Sequence, residues 1–214
     1  PMEKEQELLE RQSPEEEAAP IEEAAPPEAA PVEETPAQKL AACILATTRE
    51  AHVTPLKKLK LHLPEGVTPE EAEELLTKAG TPEADPALEK IAFIRGKKDL
   101  YFYETTLMTA HFAELDSLIM DKDILRTIAT VTRSDCKLYP RPTQFSKLMG
   151  YPFYFSEDEI EGAAARMEKL EEYADIGVVT ASNGGKGFYS TQFISRGYAQ
   201  GLIESVEVEE RENP

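Results

Sequence analysis

The sequence predicts an α+β, mostly helical protein: a disordered acidic arm, then two tandem units, each made of helices and one two-stranded hairpin. Three observations carry that prediction. An internal repeat comes first. Phe102-Tyr103-Glu104-Thr105, Leu107-Met108-Thr109 and Phe112-Ala113 align without a gap on Phe188-Tyr189-Ser190-Thr191, Phe193-Ile194-Ser195 and Tyr198-Ala199, at an offset of 86. Upstream the agreement continues with small slips. Leu88, Ile91 and Phe93 fall against Tyr173, Ile176 and Val178, Thr68 to Glu71 against Ser156 to Glu159, and Ile44 and Thr48-Arg49 against Ile128 and Thr132-Arg133. A unit this long is a duplicated small domain rather than a solenoid module of roughly 20 to 50 residues. The second observation is a pair of β-branched and aromatic runs broken by glycine turns. The third is residues 1–38, rich in Glu, Ala and Pro, whose apolar residues show no sustained period and bury too little surface to offset chain entropy. The expected units are residues 39–120 and 121–205, with an acidic tail at 206–214.

Within the arm, only Met2 to Arg11 has helical character, and a helix so short is marginal alone. In the first unit Leu40 to Arg49 reads as the leading helix and Pro55 to Leu59 as a short one. Thr68, Pro69 and Glu71 start a third helix that runs through Lys78 and ends at Gly80. The hairpin is Ile91 to Ile94 and Leu100 to Glu104 with Gly96 in its turn, and Thr106 or Thr109 opens a closing helix. The second unit repeats the order with stronger signals. Asp121 to Arg133 places Ile124, Leu125, Ile128 and Val131 on one helical face, and Pro140 and Pro142 end that segment. Thr143 to Leu148 has room for one or two turns. Ser156 and Glu159 form a reciprocal cap before Ile160, Ala163, Ala164, Met167 and Leu170. Ile176 to Thr180 and Phe188 to Thr191 flank Ser182-Asn183-Gly184-Gly185-Lys186 as a hairpin, and Ser195 caps the last helix.

Charge narrows the class of partner. The formal charge is −18, and it is uneven: residues 91–156 carry nine basic and seven acidic side chains, residues 157–214 five and thirteen. Most of this surface repels a polyanion. No run of 18 apolar residues exists to span a bilayer, and the N-terminal segment lacks the charged and apolar regions of a signal peptide, so a cytoplasmic protein is expected. Cys43 and Cys136 form no CxxC pair, which fits a reducing compartment.

Helix, short helix, longer helix, hairpin, helix is the order of a winged helix-turn-helix, and residues 40–120 and 121–205 both resemble that superfamily. Such a fold usually reads DNA with its third helix, where Lys, Arg, Asn and Gln are wanted. Here those helices open Thr68-Pro69-Glu70-Glu71 and Ser156-Glu157-Asp158-Glu159, which repel phosphate. Only the first hairpin is basic, through Arg95, Lys97 and Lys98, with Lys57, Lys58 and Lys60 as the other cluster. The charge argument therefore points away from nucleic acid as a partner. In architecture the chain is also similar to the winged-helix adaptors of bacterial chromosome condensation. A second resemblance rests on Tyr139-Pro140-Arg141-Pro142, Tyr173-Ala174-Asp175-Ile176, Ser182-Asn183-Gly184, Phe188-Tyr189-Ser190-Thr191 and Tyr198-Ala199. These residues resemble a small bacterial family encoded beside iron-sulfur proteins and an enzyme like the tungsten-dependent aldehyde ferredoxin oxidoreductases. That resemblance implies an accessory role near a redox enzyme and assigns no catalytic residue.

The residues themselves point to no catalysis, metal or cofactor. His52, His62 and His111 make no i, i+4 pair with each other or with the cysteines, and two cysteines are too few for an iron-sulfur cluster. Glu114, Asp116, Asp121 and Asp123 lack the glycine of a calcium loop and read as helix ends at a charged junction. Ser182 to Gly187 departs from the phosphate-loop pattern, since Gly187 follows Lys186 where Ser or Thr is required. What remains is surface. Tyr151-Pro152-Phe153-Tyr154-Phe155 concentrates aromatics, and Tyr139 to Pro142 presents Arg141 between prolines. Tyr139, Arg141, Tyr151, Phe153, Tyr154 and Phe155 are the expected contacts of a protein partner. The expected function is a non-catalytic accessory or adaptor subunit whose partner is a molybdenum or tungsten oxidoreductase or its iron-sulfur subunit. The alternatives are a transcription regulator using Arg95, Lys97 and Lys98, and a condensation-type adaptor.

Overall fold

The computed structural model describes residues 33–209. The helix expected at Met2 to Arg11 lies outside them, as does most of the arm expected to be disordered. The arm's last residues are ordered, which moves the expected boundary at residue 38. Thr35 caps helix α1 (Pro36–Arg49), its hydroxyl accepting the Gln38 amide while the Gln38 side chain accepts the Thr35 amide.

After α1 come β1 (Thr54–Pro55), α2 (Leu56–Leu61), α3 (Pro69–Thr77), a 3₁₀ turn Pro86–Leu88, β2 (Ile91–Arg95), β3 (Leu100–Glu104) and α4 (Ala110–Asp121). The same order then recurs as α5 (Ile124–Leu138), β4 (Thr143–Gln144), α6 (Phe145–Met149), α7 (Glu157–Met167), a turn Glu171–Tyr173, β5 (Ile176–Thr180), β6 (Lys186–Ser190) and α8 (Arg196–Glu204). Local chemistry sets the helix starts: Thr68, Thr109, Asp123, Ser156 and Ser195 each accept the amide three residues on. Lys122, with a left-handed φ of 55°, ends α4, so the expected helix from Asp121 begins three residues later and runs five residues further, to Leu138.

Each expected hairpin is part of a three-stranded antiparallel sheet, in the order β1-β3-β2 and β4-β6-β5. Two-residue strands supply the third edge: Thr54 pairs with Phe102, and Thr143 with Phe188. These central phenylalanines are fully buried. Phe102 packs with Leu40, Ile44, Leu76 and Leu88, and Phe188 with Ile128, Leu148, Ile160 and Met167. Phe145 also stacks on Phe188 at 4.7 Å between ring centroids. Each such side chain contributes about 1.5–3 kcal/mol by leaving water.

Two brackets tie the leading helices to the sheets. The Thr48 hydroxyl accepts the Glu104 amide at 3.1 Å, and the Cys136 sulfur accepts the Ser190 amide at 3.4 Å. Thr48 therefore corresponds to Cys136, an offset of 88, which the caps Thr35 and Asp123 share. The expected pairing of Thr48 with Thr132 is wrong by one helical turn, a slip that leaves the apolar face unchanged.

Carboxylates also anchor both hairpin turns. Asp121, buried, accepts the Lys97 and Lys98 amides at 2.8 and 3.4 Å and the Tyr101 hydroxyl. In the second half the Glu204 carboxylate accepts the Ser182 amide at 2.8 Å, the Glu207 carbonyl accepts the Asn183 side-chain amide at 2.7 Å, and the Glu207 carboxylate accepts Gln144 Nε2 at 2.7 Å. A Cβ on Gly185 would stand 2.7 Å from that carboxylate, so glycine lets the turn approach. Residues 206–208, expected to be tail, thus belong to the fold, continuing α8 as a π turn over Ser205–Glu209.

One ion pair crosses the second half. Arg133 Nε and Nη2 donate to the two oxygens of Asp175 at 3.0 and 2.6 Å, and the Ser190 hydroxyl donates to the same carboxylate at 2.6 Å. Arg133 foremost, then Ser190, holds the Asp175 carboxyl below the usual aspartate range despite its burial. Stabilisation from a lowered carboxyl is complete above the unfolded value near 4 and is lost as pH falls through the folded one. Arg133→Ala is expected to cost roughly 1.5–3 kcal/mol at pH 7, because Arg133 is partly solvated. In urea titrations that deficit should hold from pH 7 to about 5 and shrink below about pH 4; a deficit flat down to about pH 2 would contradict the assignment.

Candidate docking groove

The α5–β4 connection and α8 face each other across an open groove of about 520 Å³. On one side the Arg141 guanidinium lies over the Tyr139 ring, 5.0 Å from its centroid. Tyr198 and Leu202, one helical turn apart on α8, form the other side. Tyr139 and Tyr198 are more than half exposed, and among the described residues no carboxylate pairs with Arg141.

The floor is rigid and polar. Asp135, buried on α5, accepts the Thr143 hydroxyl at 2.8 Å and both approaches of Lys147 Nζ at 2.8 and 2.7 Å, which pins β4 and α6 to α5. Cys136 donates its thiol to the Arg141 carbonyl at 3.4 Å while receiving the Ser190 amide, so it holds the loop from beneath. Burial raises the Cys136 thiol above its ordinary value, which suits a bracket and not a thiolate nucleophile. Cys43 is also free and half-buried.

The six expected contact residues separate. Tyr139 and Arg141 share the groove. Tyr151 and Tyr154 lie edge to face at 6.2 Å, on the far side of the Asp135–Lys147 pair, where Tyr151, His111 and Phe112 line a smaller cleft of about 150 Å³. Phe153 is 7 % exposed and packs in the second-half core, with Phe155 half-buried and stacked on it at 5.9 Å. Phe153 is corrected from a contact residue to core, because the turn after α6 folds that ring inward, while Phe155 stays partly open to solvent. Tyr198, Leu202, Asp135 and Lys147 were missed. Ala199 and Ile203 are the buried stripe of α8, so the Tyr198–Leu202 stripe beside it was the available signal.

The expected nucleic-acid contacts Arg95, Lys97 and Lys98 are exposed, and Lys57 Nζ donates to the Lys98 carbonyl at 2.9 Å, joining α2 to the hairpin. The neighbouring acids are occupied by backbone: Asp99 accepts the Lys57 and Leu100 amides, and Asp121 those of Lys97 and Lys98. Of the acids expected at the unit junction, Asp116 accepts the Val53 amide at 2.8 Å, Asp121 holds the hairpin turn and Asp123 caps α5. Among the described residues, no group of three His, Cys, Asp or Glu is placed to hold a metal ion, and no helix is long and apolar enough to cross a membrane.

The half that carries the groove has recognisable relatives. Residues 122–211 match the YdhW C-terminal domain family. The chain is also 41% identical over 124 residues to the uncharacterized protein YdhW of Escherichia coli strain K12, an alignment covering 58% of this chain and 58% of that protein. The chain thus spans well under two thirds of that relative's length. No solved structure matches.

Burial separates the aromatic cluster into two kinds of residue. Phe153→Ala is expected to cost about 3–5 kcal/mol, whereas Tyr154→Ala, at a side chain 70 % exposed, should stay within about 0.5 kcal/mol. Chemical denaturation of the two variants checks the division, and equal losses would refute it.

Proposed function

We propose that the protein is a non-catalytic accessory or adaptor subunit that works by docking onto another protein in a bacterial anaerobic redox enzyme system. Its partner is a molybdenum or tungsten oxidoreductase or the iron-sulfur subunit of one. The observation that carries this reading is the Arg141–Tyr139 stack facing Tyr198 across an open groove. Exposed tyrosines and an unpaired arginine on a rigid floor are the side chains that dominate protein interfaces, since they bury large area at low entropic cost. The surrounding acidity favours encounter with a basic partner surface. In this reading each half is a winged-helix unit and the protein works in the cytoplasm. The repeated order of three helices, a hairpin and a closing helix, with a short third strand, supports the fold assignment.

Affinity purification of the tagged full chain from anaerobically grown cells tests the proposal. Molybdenum or tungsten, measured by mass spectrometry, should be enriched with the wild-type chain and fall about tenfold for Tyr139→Ala/Arg141→Ala. Equal metal recovery with the double variant, or none with the wild type, would sink the reading.

A second reading has one observation behind it. Lys57 reaches the Lys98 carbonyl, which brings the basic α2 beside a hairpin that exposes Arg95, Lys97 and Lys98, the residue types that a regulator gripping phosphates through its wing requires. The carboxylates that open α3 stand against it. Duplex binding that weakens by orders of magnitude between about 50 and 200 mM salt would favour the regulator, and absent binding at about 50 mM would remove it.

A further inference from the structure

Another open groove, about 630 Å³, lies on the first half, outside the residues that the family matches, along the outer side of α1. Ala41, Ala42 and Leu45 form its helical wall, the 3₁₀ turn at Pro86-Ala87 stands opposite, and Leu107, 52 % exposed, closes one end. The second half has the corresponding space filled. By the offset of 88 that matches Thr48 to Cys136, Leu45 matches Arg133, and Arg133 reaches across to Asp175 and donates to the Glu172 carbonyl at 2.9 Å.

The first half lacks that cation and has Lys90 at the place of Asp175, since the Thr105 and Thr191 amides donate to the carbonyls of Lys90 and Asp175, but it carries a carboxylate one strand over. Glu104 corresponds to Ser190, and the match is internal: the Thr106 amide donates to Glu104 Oε1 at 3.1 Å just as the Gln192 amide donates to Ser190 Oγ at 3.3 Å. The Thr106 hydroxyl also donates to Glu104. Glu104 is 5 % exposed and lines the groove, yet among the described residues no cationic nitrogen comes within 4.0 Å of its carboxylate. A buried carboxylate pays for lost hydration and usually has a cation beside it. Arg49 and Lys90 stand on the rim without reaching it.

We infer that this groove receives an arginine side chain from a protein partner, its guanidinium meeting Glu104 and its methylene stem lying on Ala42 and Leu45. Arginine suits the place better than lysine. Its planar fork offers two donors to one carboxylate, and its weak hydration tolerates an apolar wall. In the second half the arginine is supplied from within and meets Asp175, whose counterpart by strand register is Lys90, whereas the first half carries its carboxylate on Glu104, the counterpart of Ser190. This inference concerns a different groove from the one proposed above and goes beyond that reading.

The test uses isotope-labelled full chain and two probes, N-acetyl-arginine methylamide and its citrulline counterpart, which has the same shape without the charge. The arginine probe should produce saturable amide shifts centred on Leu45, Thr106 and Leu107, at an affinity about tenfold above that of the citrulline probe. Glu104→Gln should remove the preference. Leu45→Arg, which builds the guest into the chain as in the second half, should raise the melting temperature and abolish the probe response. The inference is overturned by equal response to the two probes or by no saturable shift at those residues, the outcome expected if Arg49 or Lys90 swings in. Should Glu104→Gln unfold, the citrulline comparison and Leu45→Arg decide.

Discussion

Each half is organised around the central strand of its sheet, which is paired on both edges and buried by helices. Phe102 and Phe188 are the largest fully buried side chains and sit on those strands. The strand's last amide, at Glu104 or Ser190, receives a side chain from the leading helix rather than a neighbouring strand. That contact spans more than fifty residues of sequence in each half. It joins the first element to the last strand, so the helices between them must pack inside the closed loop. An unpaired amide there would forfeit about 1–3 kcal/mol, and a hydroxyl in one half and a thiol in the other supply the same acceptor. The position fixes a function for the side chain and leaves its chemistry open.

The parts of this architecture written locally were legible in the sequence. Caps at Thr68, Ser156 and Ser195 announce themselves because donor and acceptor are three residues apart, and the alternating runs of β2, β3, β5 and β6 carry their own period. The third strands were not legible. Thr54–Pro55 and Thr143–Gln144 are too short to have a period and exist only because the central strand has a free edge to satisfy. The helical slip has the same origin, since a four-residue shift along α1 preserves its buried face and only the long-range bracket fixes the register. Glu207 looked like acidic tail for a similar reason: its partners, Asn183 and Gln144, are 24 and 63 residues away.

The candidate groove divides along the same line. Tyr139 and Arg141 stood out because Pro140 and Pro142 end the helix there, and both side chains are exposed. The pentapeptide Tyr151 to Phe155 looked uniform in composition but is not uniform in space. Its backbone turns so that Phe153 enters the core while Tyr151 and Tyr154 stay at the surface. Composition reports how much aromatic area a segment carries, and the turn geometry decides which rings face a partner.

The two halves share a backbone plan and differ in where their charges are satisfied. In the second half Lys147 pairs with Asp135, Lys186 with Glu161 and Arg133 with Asp175, so these three cations are used internally while Arg141 and the tyrosines stay exposed. In the first half Arg95, Lys97 and Lys98 meet no carboxylate among the described residues, and Asp99 and Asp121 are held by backbone amides. Glu104 meanwhile is buried without a cation among the described residues. An ion pair completed inside a fold serves register and stability, whereas the same groups left apart keep their interaction energy available to another molecule. A repeated scaffold lets one chain do both, because the halves need agree only in the central strand and its bracket, and every charge outside that frame is free to diverge.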